Sequence, residues 1–261
     1  MILHPSLDGF VAIPQSSHAF LAFQLAEQWG NRVARRPSLR AELLAAVLLH
    51  DAGWDGREEP PRLGPAGAPL AFDTWPDEER EAVWTAGVER AGLRGRYVAY
   101  LVSHHVSHLA SLGHTAHDEF LAREEARRAS LAADLAHDPR ASQVLATGGD
   151  LTDVAILRVC DALAVHLSRG TSEAMTVPAM PGREGPIDLT VETTGSGVHR
   201  LRPWPLRGDR LVVHAEGRDL PGRSFADDAE LQQAWREAPW RRVRFELLAT
   251  AARRTRRDDS H

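Results

Sequence analysis

One stretch of the sequence reads Leu43-Leu44-Ala45-Ala46-Val47-Leu48-Leu49-His50-Asp51-Ala52-Gly53-Trp54. Apolar side chains cover nearly the whole circumference of this predicted helix, which is typical of a central, buried helix. The helix closes on adjacent His50 and Asp51, and Gly53 marks its C-terminal end. Imidazole and carboxylate groups are both metal ligands. The stretch therefore predicts a candidate metal-binding pair at the end of a buried helix.

The composition limits the class of protein. A chain of 261 residues is long enough for one large domain, or for a main domain with a small appendage. Its formal net charge of -5 gives no attraction to nucleic acid. A single cysteine, Cys160, excludes an internal disulfide and is typical of a reducing compartment. The sequence shows no signal-peptide pattern and no apolar run of about 18 residues. We therefore expect a cytoplasmic protein that binds neither nucleic acid nor membrane.

The chain contains no lysine, so all 31 of its Lys or Arg positions are arginine. This absence excludes enzymes that depend on a P-loop lysine, a Schiff-base lysine or a kinase-type lysine. In contrast, 13 histidines are present, and many of them lie in or beside apolar helical segments. Imidazole and carboxylate groups are therefore the side chains from which chemistry is expected.

Helical spacing of apolar residues dominates the first part of the chain. The predicted helices cover about residues 18–29, 38–53, 76–92, 95–112, 117–137 and 151–168. Ser16 or Ser17 is the expected N-cap of the first helix, and Ser38 is that of the second. Residues 55–75 are rich in proline and glycine and form a long loop directly after the metal-binding pair. Such a loop is either a lid over a site or a solvated insertion.

After Gly170 the apolar pattern changes from helical to alternating, and residues 185–250 predict a small antiparallel sheet. The expected fold class is therefore mainly α, a helical bundle with a small C-terminal antiparallel β-sheet. The expected domains are 1–170, a helical domain carrying the metal site, 171–250, a small β appendage packed on it, and 251–261, a basic disordered tail. Residues 10–13 are expected to form an edge strand. An exposed sheet edge also allows a homodimer.

Several metal-ligand side chains occur in apolar surroundings. In chain order they are His18, His50, Asp51, His104, His105, His108 and Asp161. Asp161 lies on the core-facing stripe of the last predicted helix, where a charged carboxylate is costly unless it is paired or bound to a metal. Structural alternatives stay open: His18 as a helix-capping residue, His50 as a core histidine, and Asp161 bonded to a buried histidine or to Arg158.

This order of residues resembles the HD superfamily of metal-dependent phosphohydrolases. Its four defining positions are matched by His18, His50, Asp51 and Asp161. The resemblance covers roughly residues 15–170 and implies an HD-domain-like helical bundle. Further similarity to a bacterial branch with a C-terminal β-hairpin and no assigned activity lies in residues 18–30, 50–54, 102–105 and 210–220.

The resemblance implies a metal-dependent hydrolase of a small phosphoester or nucleotide, with a phosphorylated small molecule as its partner. The implied metal ligands are His18, His50, Asp51 and Asp161, and the implied catalytic residues are Asp51 and His105. The residues expected at the lid or substrate are Trp54, Arg57, His104 and His108. Such ligands suit Mn, Fe, Zn or Ni, with Mg also allowed, as one or two ions. An HD-type diiron oxygenase and a non-catalytic metal- or ligand-binding module are the alternatives.

Overall fold

The computed structural model describes residues 1–112 and 117–250. The helices are α1 (Gln15–Glu27), α2 (Arg40–Leu49), α3 (Asp77–Gly92), α4 (Arg96–Leu112), α5 (Asp118–Leu135), α6 (Pro139–Ala146), α7 (Gly149–Arg169) and α8 (Asp228–Glu237). The strands are β1 (Ile2–Pro5), β2 (Gly9–Ile13), β3 (Met175–Pro181), β4 (Pro186–Gly195), β5 (Val198–Arg202), β6 (Arg210–Pro221) and β7 (Trp240–Ala249). None of the described helices is both long and apolar enough to cross a membrane. The predicted basic tail, 251–261, lies outside the described residues.

The strands of the described residues form one seven-stranded sheet, in the order β1-β2-β6-β7-β5-β4-β3. Neighbouring strands are antiparallel except β5 and β7, which are parallel. The long central pair is β6 and β7, in which Arg210 lies opposite Leu248. The predicted fold class is therefore wrong, because the protein combines its helices with a large curled sheet and is α/β rather than mainly α.

The N-terminal strands explain why the sheet is larger than predicted. β2 is not an edge strand, because it lies between β1 and β6, with Phe10 opposite Leu220. Val11, Ala12 and Ile13 are all buried, so both faces of β2 are covered. A short apolar run without alternation is typical of such a strand. Its partner β6 lies far along the chain, and no local sequence pattern identifies that partner.

Helices α1 and α7 pack against the sheet, and one apolar core joins the two layers. This core includes Leu25 of α1, Leu163 of α7 and Phe245 of β7. The domain boundary predicted at residue 170 stays a prediction, and strands from both sides of it share the sheet. Helices α1 and α7 therefore lie between the sheet and helices α2 and α4, which complete the candidate site.

Tertiary contacts, rather than the predicted serine caps, hold the starts of the first two helices. α1 begins after Pro14, and Ser17 Oγ accepts a hydrogen bond from the Glu216 N–H (2.8 Å). The Ser38 side chain does not cap α2, and its N–H donates to Asp153 Oδ1 of α7 (2.7 Å). The start of α2 is thereby tied to α7.

Candidate metal centre

Four helices bring the candidate ligands together. α1 carries His18, α4 carries His105 and α7 carries Asp161, while His50 and Asp51 directly follow α2. Both α1 and α4 pack on α2 and on α7. Because the ligands come from four different helices or helix ends, the group forms only in the folded protein.

The turn after α2 positions Asp51. A tight 3-10 turn over Ala52–Trp54 follows it and runs directly along α3. Gly53 permits this close approach, because a Cβ at residue 53 would overlap the Val83 carbonyl oxygen. Gly53 is therefore required by backbone contact with α3, but it does not end α2, which already ends at Leu49.

Both histidines nearest the carboxylates are buried. His18 Nε2 lies 2.9 Å from Asp161 Oδ1 and 3.6 Å from Asp51 Oδ2. One nitrogen of the His50 ring fixes the ring's orientation, because its Nδ1–H donates to the Val47 carbonyl oxygen (2.7 Å). This bond leaves His50 Nε2 directed at the carboxylates, 3.3 Å from both Asp51 Oδ2 and Asp161 Oδ1.

His105 joins the group from α4. Its Nε2 lies 3.6 Å from Asp161 Oδ2, and its ring packs edge-on against His50 with the centroids 5.1 Å apart. Both ring nitrogens of His105, and Nε2 of His50, are buried without a hydrogen-bond partner. Buried polar atoms are normally hydrogen-bonded, so these nitrogens indicate a ligand site.

The pKa values reflect the charges of the group. Burial raises the pKa of Asp161, but the hydrogen bond with His18 and the nearby His50 ring outweigh burial and hold that pKa well below its ordinary value. Burial lowers the pKa of His50, but Asp51 and Asp161 outweigh burial and raise it well above its ordinary value. For His105 burial dominates and lowers the pKa to about 3. The centre therefore combines ionised carboxylates with imidazoles, a donor set that suits a cation.

The spacing of these atoms fits a metal ion. Ligand atoms bonded to one ion at about 2.1 Å lie about 3.0–3.4 Å apart at octahedral or tetrahedral angles. Two groups of residues each place one ligand atom per residue within 4.8 Å of the others: His18, His50 and Asp51, and His50, His105 and Asp161. The buried cluster can therefore bind a metal ion.

A cavity of about 460 Å³ opens onto the cluster. His18, Asp51 and Asp161 line it, together with Gln15, whose buried Oε1 has no hydrogen-bond partner. The rest of the wall is mainly apolar and includes Trp54, Phe72, Trp84, Leu109, Leu112 and Val165. The candidate ligands thus face a space that can admit a small molecule.

Charged residues on the cavity wall were not expected from the sequence. Arg169 Nη2 donates to Asp73 Oδ2 (2.7 Å), and Arg80 Nη2 donates to the Asp73 carbonyl oxygen (2.8 Å). Arg169 follows Asp161 and Val165 at four-residue steps along α7, so helical spacing offered a signal for it. Arg80 lies on α3, which carries no candidate ligand, and the sequence offered no comparable signal.

The residues predicted at the lid or substrate are placed differently from one another. Trp54 is buried, lines the cavity and packs edge-on against Trp75 with the centroids 5.1 Å apart. Arg57 is exposed and is not part of the cavity lining. The loop 55–75 supplies part of the wall through Phe72. Its role as a lid stays a prediction.

His104 and His108 are not part of the cavity lining either. The His104 ring packs edge-on against Tyr100 with the centroids 4.7 Å apart, and its Nε2 is buried without a hydrogen-bond partner. Burial, followed by the charges of Arg128 and Arg158, lowers the pKa of His104 to about 4. His104 and His108 therefore lie on a part of α4 that does not line the cavity.

One model of a known protein family matches the part of the chain that contains the whole site. The model of the family described as "Protein of unknown function (DUF3891)" matches residues 1–222. The chain belongs to this family. The matched region includes every candidate ligand. No curated protein and no solved structure matches the chain.

The interpretation of the chain as an HD-superfamily member is wrong. The family match is to DUF3891, and the fold contains a seven-stranded sheet instead of an HD-domain helical architecture. His18, His50, Asp51 and Asp161 nevertheless come together from α1, the end of α2, and α7. The order of these residues in the chain does not determine which strands surround the helices.

Proposed function

We propose that this protein is a metal-dependent hydrolase of a small phosphoester. The supporting observation is the convergence of three imidazoles and two carboxylates, buried beside a cavity of about 460 Å³. Donor sets of this kind suit Mn, Fe, Zn or Ni, and a bound ion of this class supplies an activated water and neutralises phosphate charge.

The residues of the cluster have separate tasks in this proposal. His18, His50, Asp51 and Asp161 hold the ion, and His105 extends the set toward a second one. The Val47 carbonyl keeps the His50 ring oriented for binding. Asp51 and Asp161 also line the cavity, where their carboxylates accept hydrogen bonds from water and orient it toward a substrate.

The cavity wall limits the substrate class. Trp54, Phe72 and Trp84 offer aromatic surface for an apolar or ring-containing group. Arg80 and Arg169 carry positive charge for a phosphate, although both already donate to Asp73. A phosphomonoester of an apolar or aromatic alcohol, with one compact anionic group, therefore fits better than a highly charged nucleoside triphosphate.

A dinuclear iron oxygenase is the second candidate. It is favoured by the two neighbouring ligand groups, which together offer three imidazoles and two carboxylates and could hold two ions close together. His50 would bind only one of the two ions, because its Nδ1–H donates to the Val47 carbonyl oxygen. The mainly apolar wall also suits a hydrocarbon-like substrate. The two candidates use the same residues and differ in the metal and in the consumption of oxygen.

The test is an activity screen of the full chain. Protein loaded in turn with Mn²⁺, Zn²⁺, Ni²⁺ and Fe²⁺ is assayed with p-nitrophenyl phosphate, bis-p-nitrophenyl phosphate and nucleoside monophosphates. We expect hydrolysis with at least one ion, complete loss in His50→Ala, and retention in His137→Ala, whose side chain is exposed just after α5 and does not line the cavity.

Three outcomes would overturn the proposal. Bound iron with oxygen consumption and no hydrolysis would favour the oxygenase. Bound metal with neither activity would favour a non-catalytic metal-binding module. Hydrolysis that survives His50→Ala would place the activity outside this centre.

A further inference from the structure

Two arginines meet on a side of α4 that does not line the cavity. Arg158 of α7 donates from Nη2 to the His104 carbonyl oxygen (3.0 Å). Arg128 of α5 donates from Nη1 to the carbonyl oxygen of Ser103 (3.3 Å) and to Ser107 Oγ (2.6 Å). Because Ser103 and His104 are consecutive residues of one helix, the two guanidinium groups are held close together.

Neither guanidinium is neutralised by a carboxylate among the described residues. Within residues 1–112 and 117–250, their hydrogen bonds go to neutral oxygens of α4. Glu124, one turn before Arg128 on α5, is paired instead with Arg127, with Oε1 3.0 Å from Nε, and its Oε2 is buried without a hydrogen-bond partner. Arg128 and Arg158 therefore form a pair of like charges without a carboxylate counter-ion among the described residues.

Partial burial makes this arrangement costly. Both arginines are half-buried, and Nε of Arg158 is buried without a hydrogen-bond partner. Burial, followed by the charge of Arg128, lowers the pKa of Arg158. Two like charges held together away from water are stabilised when an anion binds between them. His104 Nε2, also buried and unpartnered, adds a further polar atom to the same region.

We propose that this cluster, formed by Arg128, Arg158, His104, Ser107 and His108, is a binding site for a phosphate-like oxyanion. Guanidinium groups match the geometry of tetrahedral oxyanions through paired N–H donors. Two arginines also balance a dianion better than they balance a monocarboxylate. The site is separate from the metal centre, since none of these five residues lines the cavity. It joins that centre through α4, in which His104 directly precedes the candidate ligand His105.

Calorimetric titration of the full chain with inorganic phosphate tests the site. The protein is first treated with chelator, so that phosphate cannot bind a metal ion, and the buffer has low ionic strength. We expect saturable binding in the millimolar range. Arg128→Gln and Arg158→Gln should each weaken it by about tenfold, which is the loss of one charge-assisted hydrogen bond. Acetate should bind more weakly than phosphate.

Two further variants test whether other arginines of the protein, rather than Arg128 and Arg158, bind the phosphate. Arg140→Gln removes a well-exposed arginine of α6, and Arg169→Gln removes one from the cavity wall. Arg140→Gln should leave phosphate affinity unchanged, whereas Arg169→Gln reports any phosphate that binds at the cavity wall. Arg158→Lys keeps the charge and serves as the second variant if Arg158→Gln does not fold, and circular dichroism checks folding in each case. The proposal is overturned if wild type shows no saturable binding at about 10 mM phosphate, if only Arg169→Gln weakens binding, or if acetate binds as tightly as phosphate.

Discussion

Two acidic residues of helix α7, Asp153 and Asp161, lie two turns apart in contrasting surroundings. Asp153 accepts hydrogen bonds from the N–H groups of Ser38 (2.7 Å) and Leu39 (3.1 Å), and from the Tyr97 hydroxyl (3.0 Å). Asp161 instead faces the imidazoles of three histidines on three other segments. Asp153, in the first half of α7, therefore fixes the start of α2. Asp161, in the second half, meets residues that follow the end of α2.

The difference shows what distinguishes a structural carboxylate from a candidate ligand. The donors around Asp153 belong to backbone and a hydroxyl, and burial raises its pKa. The neighbours of Asp161 include His50 and His105, whose ring nitrogens are buried without hydrogen-bond partners. A buried carboxylate with all its donors supplied needs no ion, whereas one beside unpartnered imidazole nitrogens forms part of a cation site.

The largest expected effect is on metal affinity. Asp161→Ala should lower the affinity for Mn²⁺ or Zn²⁺ by about 100-fold or more, because it removes a carboxylate that lies within 3.6 Å of ring nitrogens of His18, His50 and His105. Asp153→Ala should leave the affinity of the folded protein unchanged. Isothermal titration of both variants measures the contrast. Equal losses in the two would mean that α7 acts on the centre only through packing.

The second effect is on stability without metal. Asp153→Ala leaves the Ser38 and Leu39 N–H groups without their acceptor, so the free energy of unfolding should fall by about 2–4 kcal/mol. Asp161→Ala should cost less in chelator, since it also removes repulsion between Asp161 and Asp51. Urea denaturation followed by circular dichroism gives both values. A larger loss for Asp161→Ala would show that its contacts with histidine stabilise the metal-free fold.

A pair of glycines tests how the backbone positions Asp51. Gly53→Ala should cost about 1–3 kcal/mol, because the added methyl group overlaps α3, and it should also weaken metal binding. Gly87→Ala is the matched control, since a Cβ there would lie 3.5 Å from the nearest atoms, an ordinary contact. Thermal unfolding with and without metal compares the two. Unchanged metal affinity in folded Gly53→Ala would separate this turn from the site.

A buried histidine outside the metal centre, His199, is expected to make the stability of the protein depend on pH. His199 of β5 packs against His166 of α7 with the ring centroids 6.0 Å apart. Burial, followed by His166, lowers the pKa of His199 from 6.5 to about 4. The unfolded chain therefore binds a proton that the folded protein excludes, so stability is complete above pH 6.5 and falls as the pH decreases toward 4.

His199→Gln should remove about 2 kcal/mol of the stability difference between pH 7 and pH 5. The matched control is His137→Gln, which replaces an exposed histidine and should not change the difference. Denaturation at the two pH values measures it. If His199→Gln leaves the pH dependence intact, the acid sensitivity arises elsewhere in the protein.

The sequence predicted the members of the centre more successfully than it predicted the fold. The helical spacing of apolar residues put His18, His50 and Asp161 on core-facing positions, and the cost of burying Asp161 implied a partner. Those two signals are local, and the structure brings the residues together. The pairing of β2 with β6 is not local, since Val11 lies opposite Asp219. No periodic pattern identifies such a partner.

Capping and cavity residues show the same limit. The predicted cap Ser38 is replaced by Asp153, an acceptor from another helix that no pattern near residue 38 reveals. Arg80 is one of many arginines, and only its tertiary position places it on the cavity wall. Local sequence patterns therefore indicate which buried polar groups need a hydrogen-bond or charge partner. The partner itself often comes from elsewhere in the chain.

The metal content of the full chain tests the central claim most directly. Wild type and Asp161→Ala are purified in parallel without chelator and measured by inductively coupled plasma mass spectrometry. We expect one or two transition-metal ions per wild-type chain and a large loss of metal in Asp161→Ala. A wild-type protein without stoichiometric metal, even after incubation with Mn²⁺, Fe²⁺, Zn²⁺ and Ni²⁺, or an Asp161→Ala variant with full occupancy, would contradict that claim.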